Sequence, residues 1–323
     1  MNYSSASATK ISNRAIFRSV QNTVNKLPLI RTRQFSTPPY HIGGVTENRL
    51  GLQVYRTIGK WIARTFRKRL ITEEIKHYVS VIDRDGVLVI EDFLEPEQFE
   101  MVVSEYERVS ARVALSPYRG VKDAKLYRSQ VSVDDLEERL PAIRKNFQKN
   151  PLLNQLASAV VRRKITKDPG VYLDKYENIY EDGVDNDIEN ILHADLHTTT
   201  VKMFFYLNDV DENNGAFVYA KGSHRLSMAR LLHEYDLSIR QARLKKNLSI
   251  PDSLLVRRAG EARNIISSAT LKRMNVVETP ICGKSNTLII TNNIGFHRRG
   301  EFRIGRPRKN LLVNYRHLEK PLR

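Results

Sequence analysis

From about Pro169 onward the sequence changes from helical periodicity to short strand patterns separated by turn signals, and this change limits the folds that the chain can adopt. In the clearest strand, 200–207, apolar residues alternate and so share one face: Val201, Met203, Phe205 and Leu207. Further strands are predicted at 216–220, 275–279, 286–291 and 310–315. Many short strands after a helical opening favour an α+β, mainly β fold: a double-stranded β-helix (jelly roll, cupin-like) with packed helices.

The helical opening has its own signals. Val87–Ile90 is a short apolar run, which predicts a buried strand. A helix is expected to begin at Pro96, because proline is tolerated in the first turn, where its missing N–H has no intrahelical partner. Helical periodicity over 134–165 is interrupted by Pro141 and Pro151, which predicts two or three short helices.

We divide the chain into a segment 1–36, a basic linker with a helix at 37–72, and one domain over 73–323 with a helical insertion at about 226–273. The lone cysteine, Cys282, cannot form an internal disulfide, which fits a reducing compartment. No apolar run approaches the roughly 20 residues that a membrane-spanning helix needs. We therefore expect a soluble or at most peripheral protein, and the sequence sets no oligomeric state.

The first segment has the composition of a mitochondrial transit peptide. Residues 1–46 contain no Asp or Glu, are rich in Ser and Thr, and carry six Lys or Arg. The tetrapeptide Arg33-Gln34-Phe35-Ser36 also resembles a matrix-protease cleavage site. We expect residues 1–36 to direct the protein to the mitochondrial matrix. The alternative is a disordered basic tail on a cytoplasmic protein.

The net charge of +17 raises the question of nucleic acid binding, but the charge is unevenly distributed. Residues 1–72 contain thirteen Lys or Arg and one acid, Glu47, and thus carry +12 of the total, which leaves +5 for residues 73–323. The large domain shows no RNA-binding motif. A basic RNA-binding protein is therefore disfavoured, and no nucleic acid partner is expected.

The second basic segment, 49–70, predicts an amphipathic helix. Its apolar residues recur every three or four positions and share one face: Leu52, Tyr55, Ile58, Ile62 and Phe66. The commoner outcome for such a helix, and our expectation, is that this apolar face packs on the large domain. The alternative is a peripheral contact of this face with an anionic membrane or a partner protein.

The segment HADLH at 193–197 carries the main chemical signal. Alternate side chains of an extended segment share a face, so His193 and Asp195 can bind one ion. A second histidine, His297, follows the apolar strand at 286–291, and strands that lie far apart in a jelly-roll sequence are neighbours in space. Two imidazoles and one carboxylate form the facial triad of non-haem iron(II) oxygenases, which leaves three coordination positions open.

Arginine follows the distal histidine at several positions. Arg308 lies eleven residues after His297, at the start of a strand predicted to return beside the metal. A buried arginine there can bind the distal carboxylate of 2-oxoglutarate through paired, charge-assisted hydrogen bonds. Arg306 is the second choice, and Arg303 and Arg299 are further competitors.

Taken together, residues 83–316 resemble the phytanoyl-CoA dioxygenase (PhyH-like) family of Fe(II)/2-oxoglutarate-dependent oxygenases. The similar segments are DGVLVIEDFLEPEQFE, HADLH, NGAFVYAKGSHR and the distal His297 with Arg308-Lys309. The resemblance implies that His193, Asp195 and His297 bind iron and that Arg308 binds 2-oxoglutarate. It implies an oxidoreductase, a dioxygenase that uses O2 to hydroxylate a small-molecule or acyl/lipid-type substrate and releases succinate and CO2. No catalytic residue beyond the metal site is implied.

Several neighbouring residues have open roles. His197 shares the parity of the ligand pair and could touch substrate, or it could be a hydrogen-bonded histidine at a strand start. His224 is expected to fix a turn rather than bind metal. Lys202 could contact the metal ligands or lie on a partly exposed strand face, and Tyr176 could line the pocket or lie in the core.

The carboxylate of Asp195 favours hydroxylation, because related halogenases carry a small residue at this position to admit a halide. The alternative to an enzyme is a catalytically silent jelly-roll protein, an accessory or structural part of a mitochondrial assembly. The substrate itself is not encoded in any motif. The basic insertion at 226–273 permits an anionic substrate.

Overall fold

The structure, a computed structural model, describes residues 43–67, 69, 71–120, 122–183, 187–195, 199–248 and 264–315. The transit-peptide prediction for 1–36, the pocket residue His197 and part of the insertion lie outside these ranges. Among the described helices, none is long and apolar enough to cross a membrane.

Within the described ranges, eight α-helices precede or interrupt the strands: α1 Val45–Arg49, α2 Leu52–Thr65, α3 Glu73–Asp85, α4 Pro96–Ser110, α5 Pro141–Ile143, α6 Pro151–Val161, α7 Met228–Leu248 and α8 Ser268–Met274. A π-helical turn, 144–148, continues α5. Pro96, Pro141 and Pro151 each occupy the first turn of a helix, where the missing N–H is harmless. The helix predicted from Pro96 and the two helices over 134–165 are therefore confirmed.

The part of the chain that the structure describes contains twelve strands, in chain order β1 Val87–Ile90, β2 Ser116–Pro117, β3 Leu126–Ser132, β4 Gly170–Asn178, β5 His193–Ala194, β6 Val201–Tyr206, β7 Phe217–Ala220, β8 Asn264–Ile265, β9 Glu278–Ile281, β10 Leu288–Asn292, β11 His297–Arg299 and β12 Arg308–Asn314. They form a larger sheet, in the order β1-β10-β6-β12-β4-β3-β2, and a smaller sheet, in the order β8-β5-β11-β7-β9. From β4 to β7 and from β10 to β12 the chain alternates between the two sheets. This antiparallel double sheet is the predicted jelly roll.

Strand β6 shows which part of the core lies on each face of the larger sheet. Its odd-numbered residues, Val201, Met203 and Phe205, are buried in the core between the larger sheet and the helices. Phe204 and Tyr206 lie on the opposite face, in the core between the two sheets. Lys202 has the parity of this second face, so it belongs to the side of the sheet that faces the smaller sheet.

The sequence did not predict helix α3 or strands β2 and β8. Helix α3 carries a readable pattern, since Ile75, Val79 and Ile82 recur on one face and are buried against the sheet. The two-residue strand β8 lies inside the segment predicted as a helical insertion, where it pairs with β5. Strand β2 is equally short. Strands of two residues carry no detectable alternation, which explains why the sequence did not reveal β2 and β8.

The expected orientation of the 49–70 helix is wrong. The helix forms as α2, preceded by a break at Gly51, whose φ of 91° is readily adopted by glycine. Its polar residues Gln53 and Arg56 are buried against the domain, whereas Ile62 and Phe66 of the apolar face are exposed. Specific polar partners on the domain, described below, outweigh the preference for burying the apolar face.

Candidate metal centre

The two histidines of the predicted triad lie opposite each other in the smaller sheet. His193 in β5 and His297 in β11 are register partners, so the pairing of an early and a late strand brings them together. Their ring centroids are 4.9 Å apart, and both side chains are buried. The ring of Phe217 from β7 lies 5.6 Å from that of His297 and forms an apolar wall.

Asp195 completes the group. Its Oδ1 lies 3.3 Å from Nε2 of His193, and its Oδ2 lies 3.7 Å from Nε2 of His297. One ligand atom from each of the three residues can be chosen so that all lie within 4.8 Å of one another. The structure therefore brings together His193, Asp195 and His297, as the sequence predicted.

The outer nitrogens of both imidazoles are fixed by the backbone. Nδ1 of His193 lies 2.6 Å from the carbonyl oxygen of Ile191, and Nδ1 of His297 lies 2.9 Å from that of Gly295. A carbonyl can only accept, so each Nδ1 carries a proton, and Nε2 is the nitrogen of each ring that is directed at Asp195 and would serve as the metal ligand after losing its own proton. Two such nitrogens and one carboxylate fit a single divalent ion of the 2-His-1-carboxylate type.

Two further side chains hold the carboxylate of Asp195. Asn293 donates from Nδ2 to Oδ2 of Asp195 at 2.6 Å, and Lys202 forms a short ion pair with the same oxygen. Burial alone would raise the pKa of Asp195, but Lys202 and the two histidines hold it well below its usual range. Asp195 is thus an anion at neutral pH, as a metal ligand must be.

A second carboxylate lies beside His193. Oε2 of Glu189 is 3.1 Å from Nε2 of His193, and Oε1 of Glu189 accepts a hydrogen bond from Arg119 at 2.9 Å. Burial alone would lower the pKa of His193, but its hydrogen bonds to Asp195 and Glu189 raise the pKa to about 9. Burial lowers the pKa of His297.

Arg308 is a buried guanidinium at the start of β12. It reaches the smaller sheet by donating to the carbonyl of Gly215, just before β7, and its Nε donates to Asn310 Oδ1 at 3.1 Å. Its guanidinium lies 4.9 Å from the centroid of the Tyr176 ring. Among the described residues no carboxylate lies within ion-pair distance of Arg308, and Asp174, which attracts it from farther away, is paired with Arg128. A buried cation of this kind ordinarily needs an anionic partner. Burial lowers its pKa.

The other arginines that follow His297 either form ion pairs with carboxylates or are exposed to solvent. Arg299 is buried but forms an ion pair with Asp187. Arg306 is half exposed and pairs with Asp211, while Arg303 is exposed. Arg308 is therefore the one member of this group that the structure leaves buried without a described carboxylate partner.

The structure also shows where His224 and Tyr176, two other residues considered from the sequence, lie. His224 lies outside the metal group and fixes a turn, since its Nε2 donates to the carbonyl of Asp83 at 3.0 Å. Tyr176 is buried beneath Arg308, in a cluster with Tyr118 and Leu126. The sequence did not indicate a role at the site for Asn293 or Glu189. Asn293 is adjacent to a strand end near His297, but asparagine is too common at such positions to stand out.

Comparison with known proteins identifies a family. The family described as Phytanoyl-CoA dioxygenase (PhyH) matches residues 82–243, which is half of the chain. No curated protein matches the chain in sequence.

Several solved structures are similar. The non-heme alpha ketoglutarate dependent epimerase SnoN from nogalamycin biosynthesis has 13% identity and a TM-score of 0.49, with 77% of this chain and 93% of SnoN covered. AviO1 from Streptomyces viridochromogenes Tue57 has 16% identity and a TM-score of 0.47, with 78% and 100% covered. EctD from S. alaskensis with bound Fe has 16% identity and a TM-score of 0.45, with 78% and 83% covered.

Proposed function

The chain belongs to the phytanoyl-CoA dioxygenase family, and we propose that it is an Fe(II)- and 2-oxoglutarate-dependent dioxygenase that hydroxylates a small-molecule or acyl/lipid-type substrate. The observation that carries this proposal is the convergence of His193, Asp195 and His297, whose ligand atoms lie within 4.8 Å of one another. Fe(II) is the cofactor, and 2-oxoglutarate and O2 are the co-substrates. When bound, they supply the oxidising chemistry and yield succinate and CO2.

The protein contributes a preorganised set of ligands. The carbonyls of Ile191 and Gly295 fix the orientation of the two imidazoles, so both Nε2 atoms already face Asp195 before a metal ion binds. Asn293 orients the carboxylate of Asp195 in the same way. The three ligand residues would hold the ion, and three protein ligands of this type would leave coordination positions for co-substrate and oxygen.

Arg308 is proposed to bind the distal carboxylate of 2-oxoglutarate. The guanidinium is buried, stacked near Tyr176 and without a described carboxylate partner. A carboxylate ligand would supply the missing negative charge through a charge-assisted pair. The hydrogen bonds to Gly215 and Asn310 hold the guanidinium in place between the sheets.

Hydroxylation is the proposed outcome because Asp195 supplies a carboxylate at the position where a halogenase needs space for a halide. The apolar wall at Phe217 excludes water from one side of the site. The acid-free segment 1–46 supports a further proposal, that the enzyme acts in the mitochondrial matrix.

A second candidate function is a catalytically silent jelly-roll protein of a mitochondrial assembly. The ion pair between Lys202 and Asp195 favours it, because a lysine cation then neutralises the carboxylate that a metal ion would need. The fixed orientations of His193 and His297 favour the enzyme, since a silent protein has no need to hold both Nε2 atoms directed at one point.

Succinate release separates the two candidates. With Fe(II), 2-oxoglutarate and O2, the enzyme should form succinate slowly even without its substrate, and candidate metabolites that bind should accelerate it. Arg308→Lys should abolish most of this release, while the matched variant Arg306→Lys should retain it. Folded protein that releases no succinate in the presence of any candidate metabolite would support the silent protein.

A further inference from the structure

Helix α7 carries a buried ion pair that lies outside the metal group. Nε of Arg230 donates to Oε1 of Glu234 at 3.0 Å, and the exposed fractions of the two side chains are 5% and 1%. Taking two charges out of water carries a desolvation cost, which their mutual attraction offsets only when further hydrogen bonds complete their surroundings. The additional partners of Arg230 and Glu234 therefore indicate the role of the pair.

Glu234 joins three elements of the fold. In addition to Arg230, it accepts hydrogen bonds from Nδ2 of Asn264 in β8 at 3.2 Å and from Nε2 of Gln53 in α2 at 3.1 Å. The side-chain oxygen of Asn264 lies 2.6 Å from Nε2 of His233, also in α7, so both ends of this amide are bonded to α7. Gln53, Glu234 and Asn264 are all buried, and Asn264 therefore fixes the short strand β8 against the helix.

Strand β8 in turn holds one of the two strands that carry the metal ligands. Asn264 is the register partner of Ala194 in β5. Ala194 lies between two of the three proposed ligands, His193 and Asp195. Because β5 is only two residues long, its position depends on its neighbours in the sheet, β8 and β11. Through Asn264, Glu234 therefore acts on the backbone of this ligand pair.

Arg230 contacts the segment that leads into the third ligand, His297. Its Nη1 donates to the carbonyls of Ile294 and Ser223, each at 3.3 Å, and its guanidinium lies 4.2 Å from the centroid of the Phe296 ring. Oγ of Ser223 also accepts a hydrogen bond from the backbone N–H of Phe296 at 2.8 Å. Because Phe296 directly precedes His297, these contacts fix where β11 begins.

The two members of the ion pair thus act on different parts of the metal group. We propose that Arg230 and Glu234 are positioning residues, which hold the ligand strands β5 and β11 at the separation that one metal ion requires. Metal ligands have to be held within about 0.5 Å of their binding positions by the residues packed around them. Because the two side chains bond to each other, a shift of one ligand strand is opposed by the contacts of the other. This inference rests on the proposed iron site and adds the residues that support it.

Binding of Co(II) to the full-length apoprotein tests this inference without any turnover. Co(II) takes imidazole and carboxylate ligands, and its visible absorption bands depend on the geometry of those ligands. Glu234→Gln keeps the size of the side chain but removes its charge and one of its accepting oxygens. We expect this variant to bind Co(II) about tenfold more weakly, the lower end of the loss typical of residues that support metal ligands, and with shifted absorption bands.

The matched control is Glu105→Gln in the helical layer. Glu105 is also a buried carboxylate, and it accepts hydrogen bonds from the backbone N–H groups of Ala142 and Ile143, each at 2.9 Å. This variant should lose stability against denaturant, because an anion at the start of a helix is removed. It should nevertheless keep the Co(II) affinity and the absorption bands of the unaltered protein.

A double variant, Arg230→Met/Glu234→Met, separates positioning from stability. Either single change leaves one charge buried without the opposite charge, which is strongly destabilising, whereas the double variant leaves neither. We expect the double variant to unfold at a higher denaturant concentration than Arg230→Met or Glu234→Met alone, yet to bind Co(II) at least tenfold more weakly than the unaltered protein. Recovery of the Co(II) affinity together with the stability would overturn the proposal, because the pair would then act on stability alone.

Two further results distinguish this inference from the iron site on which it rests. Tight Co(II) binding by the unaltered protein, with the same affinity and bands in Glu234→Gln, would overturn the inference and leave the iron site in place. Folded, unaltered protein that binds no Co(II), or that binds it equally well as His297→Ala, would overturn the proposed function and this inference with it.

Discussion

Asn293 donates a hydrogen bond from Nδ2 to Oδ2 of Asp195 across 2.6 Å, although the two residues are 98 positions apart in the chain. The backbone N–H of Asn293 also donates to the carbonyl of Thr200, which ties the segment between β10 and β11 to the start of β6. Asn293 is therefore a positioning residue that orients the carboxylate of the proposed iron site.

Removing this amide should weaken iron binding. We expect Asn293→Ala to lower the affinity for Fe(II) about ten- to a hundredfold, as is typical when a hydrogen bond to a metal ligand is lost. Anaerobic metal titration with a competing chelator measures the change. The control is Asn146→Ala, a buried asparagine of the helical layer whose amide bonds to the Ala142 carbonyl. Equal effects of the two variants would show that the loss is one of stability alone.

Lys202 is expected to act in the opposite direction. Its ammonium group contacts the carboxylate of Asp195 and repels a divalent ion at the same oxygen. Lys202→Met should therefore raise the Fe(II) affinity, by about tenfold for each 1.4 kcal/mol of repulsion removed. Lys309→Met, which removes a pair with Glu107 on the outer surface, should leave the affinity unchanged. Weaker iron binding in Lys202→Met would mean that the lysine supports the site.

The arginine assignment predicts a difference between two neighbouring positions. Arg308→Lys should weaken 2-oxoglutarate binding at least tenfold, because lysine cannot reproduce the paired hydrogen bonds of a guanidinium. Arg306→Lys should have little effect, since Arg306 is half exposed and already pairs with Asp211. Isothermal titration of 2-oxoglutarate into the protein loaded with Mn(II) measures both constants. The reverse ranking would move the clamp to Arg306.

His224 predicts a pH dependence of stability. Burial, and then the nearby Arg64 and Arg225, lower the pKa of His224 from 6.5 to about 4. Its Nδ1 is buried without a hydrogen-bond partner, and Gly86 approaches so closely that an added Cβ would lie 2.6 Å from that nitrogen. A proton on Nδ1 would therefore have no acceptor.

The direction of the pH dependence follows from the pKa of His224, which is 6.5 as the ordinary value and about 4 in the folded protein. Between pH 6.5 and 4 the unfolded chain binds a proton at His224 that the folded chain does not, so the stability from this residue is present above pH 6.5 and decreases as the pH falls. Denaturant unfolding should show the stability difference between the unaltered protein and His224→Gln shrinking by up to about 1.4 kcal/mol per pH unit. The exposed control His77→Gln should show no such trend.

The fold was largely predictable because β-strand alternation is a local signal. Val201, Met203 and Phe205 predicted the buried face of β6, and the proline positions predicted the helix starts. Helix α3 was missed even though Ile75, Val79 and Ile82 carry its pattern.

The metal group was predictable for a related reason: His193 and Asp195 lie two positions apart, on the same face of an extended segment, and His297 follows a clear strand. The contacts that modify the site, such as the hydrogen bond between Asn293 and Asp195, were not predictable, because they join residues that are distant in the chain.

The orientation of helix α2 was not predictable for the same reason. Glu234 lies 181 positions from Gln53, and this pair decides which face of α2 is buried. No local pattern in 49–70 contains that information.

The central claim is that His193, Asp195 and His297 bind one Fe(II) to which 2-oxoglutarate then coordinates. The most direct test is an anaerobic titration of the apoprotein with Fe(II) and 2-oxoglutarate, followed by visible absorption. We predict a weak metal-to-ligand charge-transfer band that saturates at one iron per chain and is absent in His297→Ala. A folded, unaltered protein that shows no such band at saturating iron and 2-oxoglutarate would contradict the account.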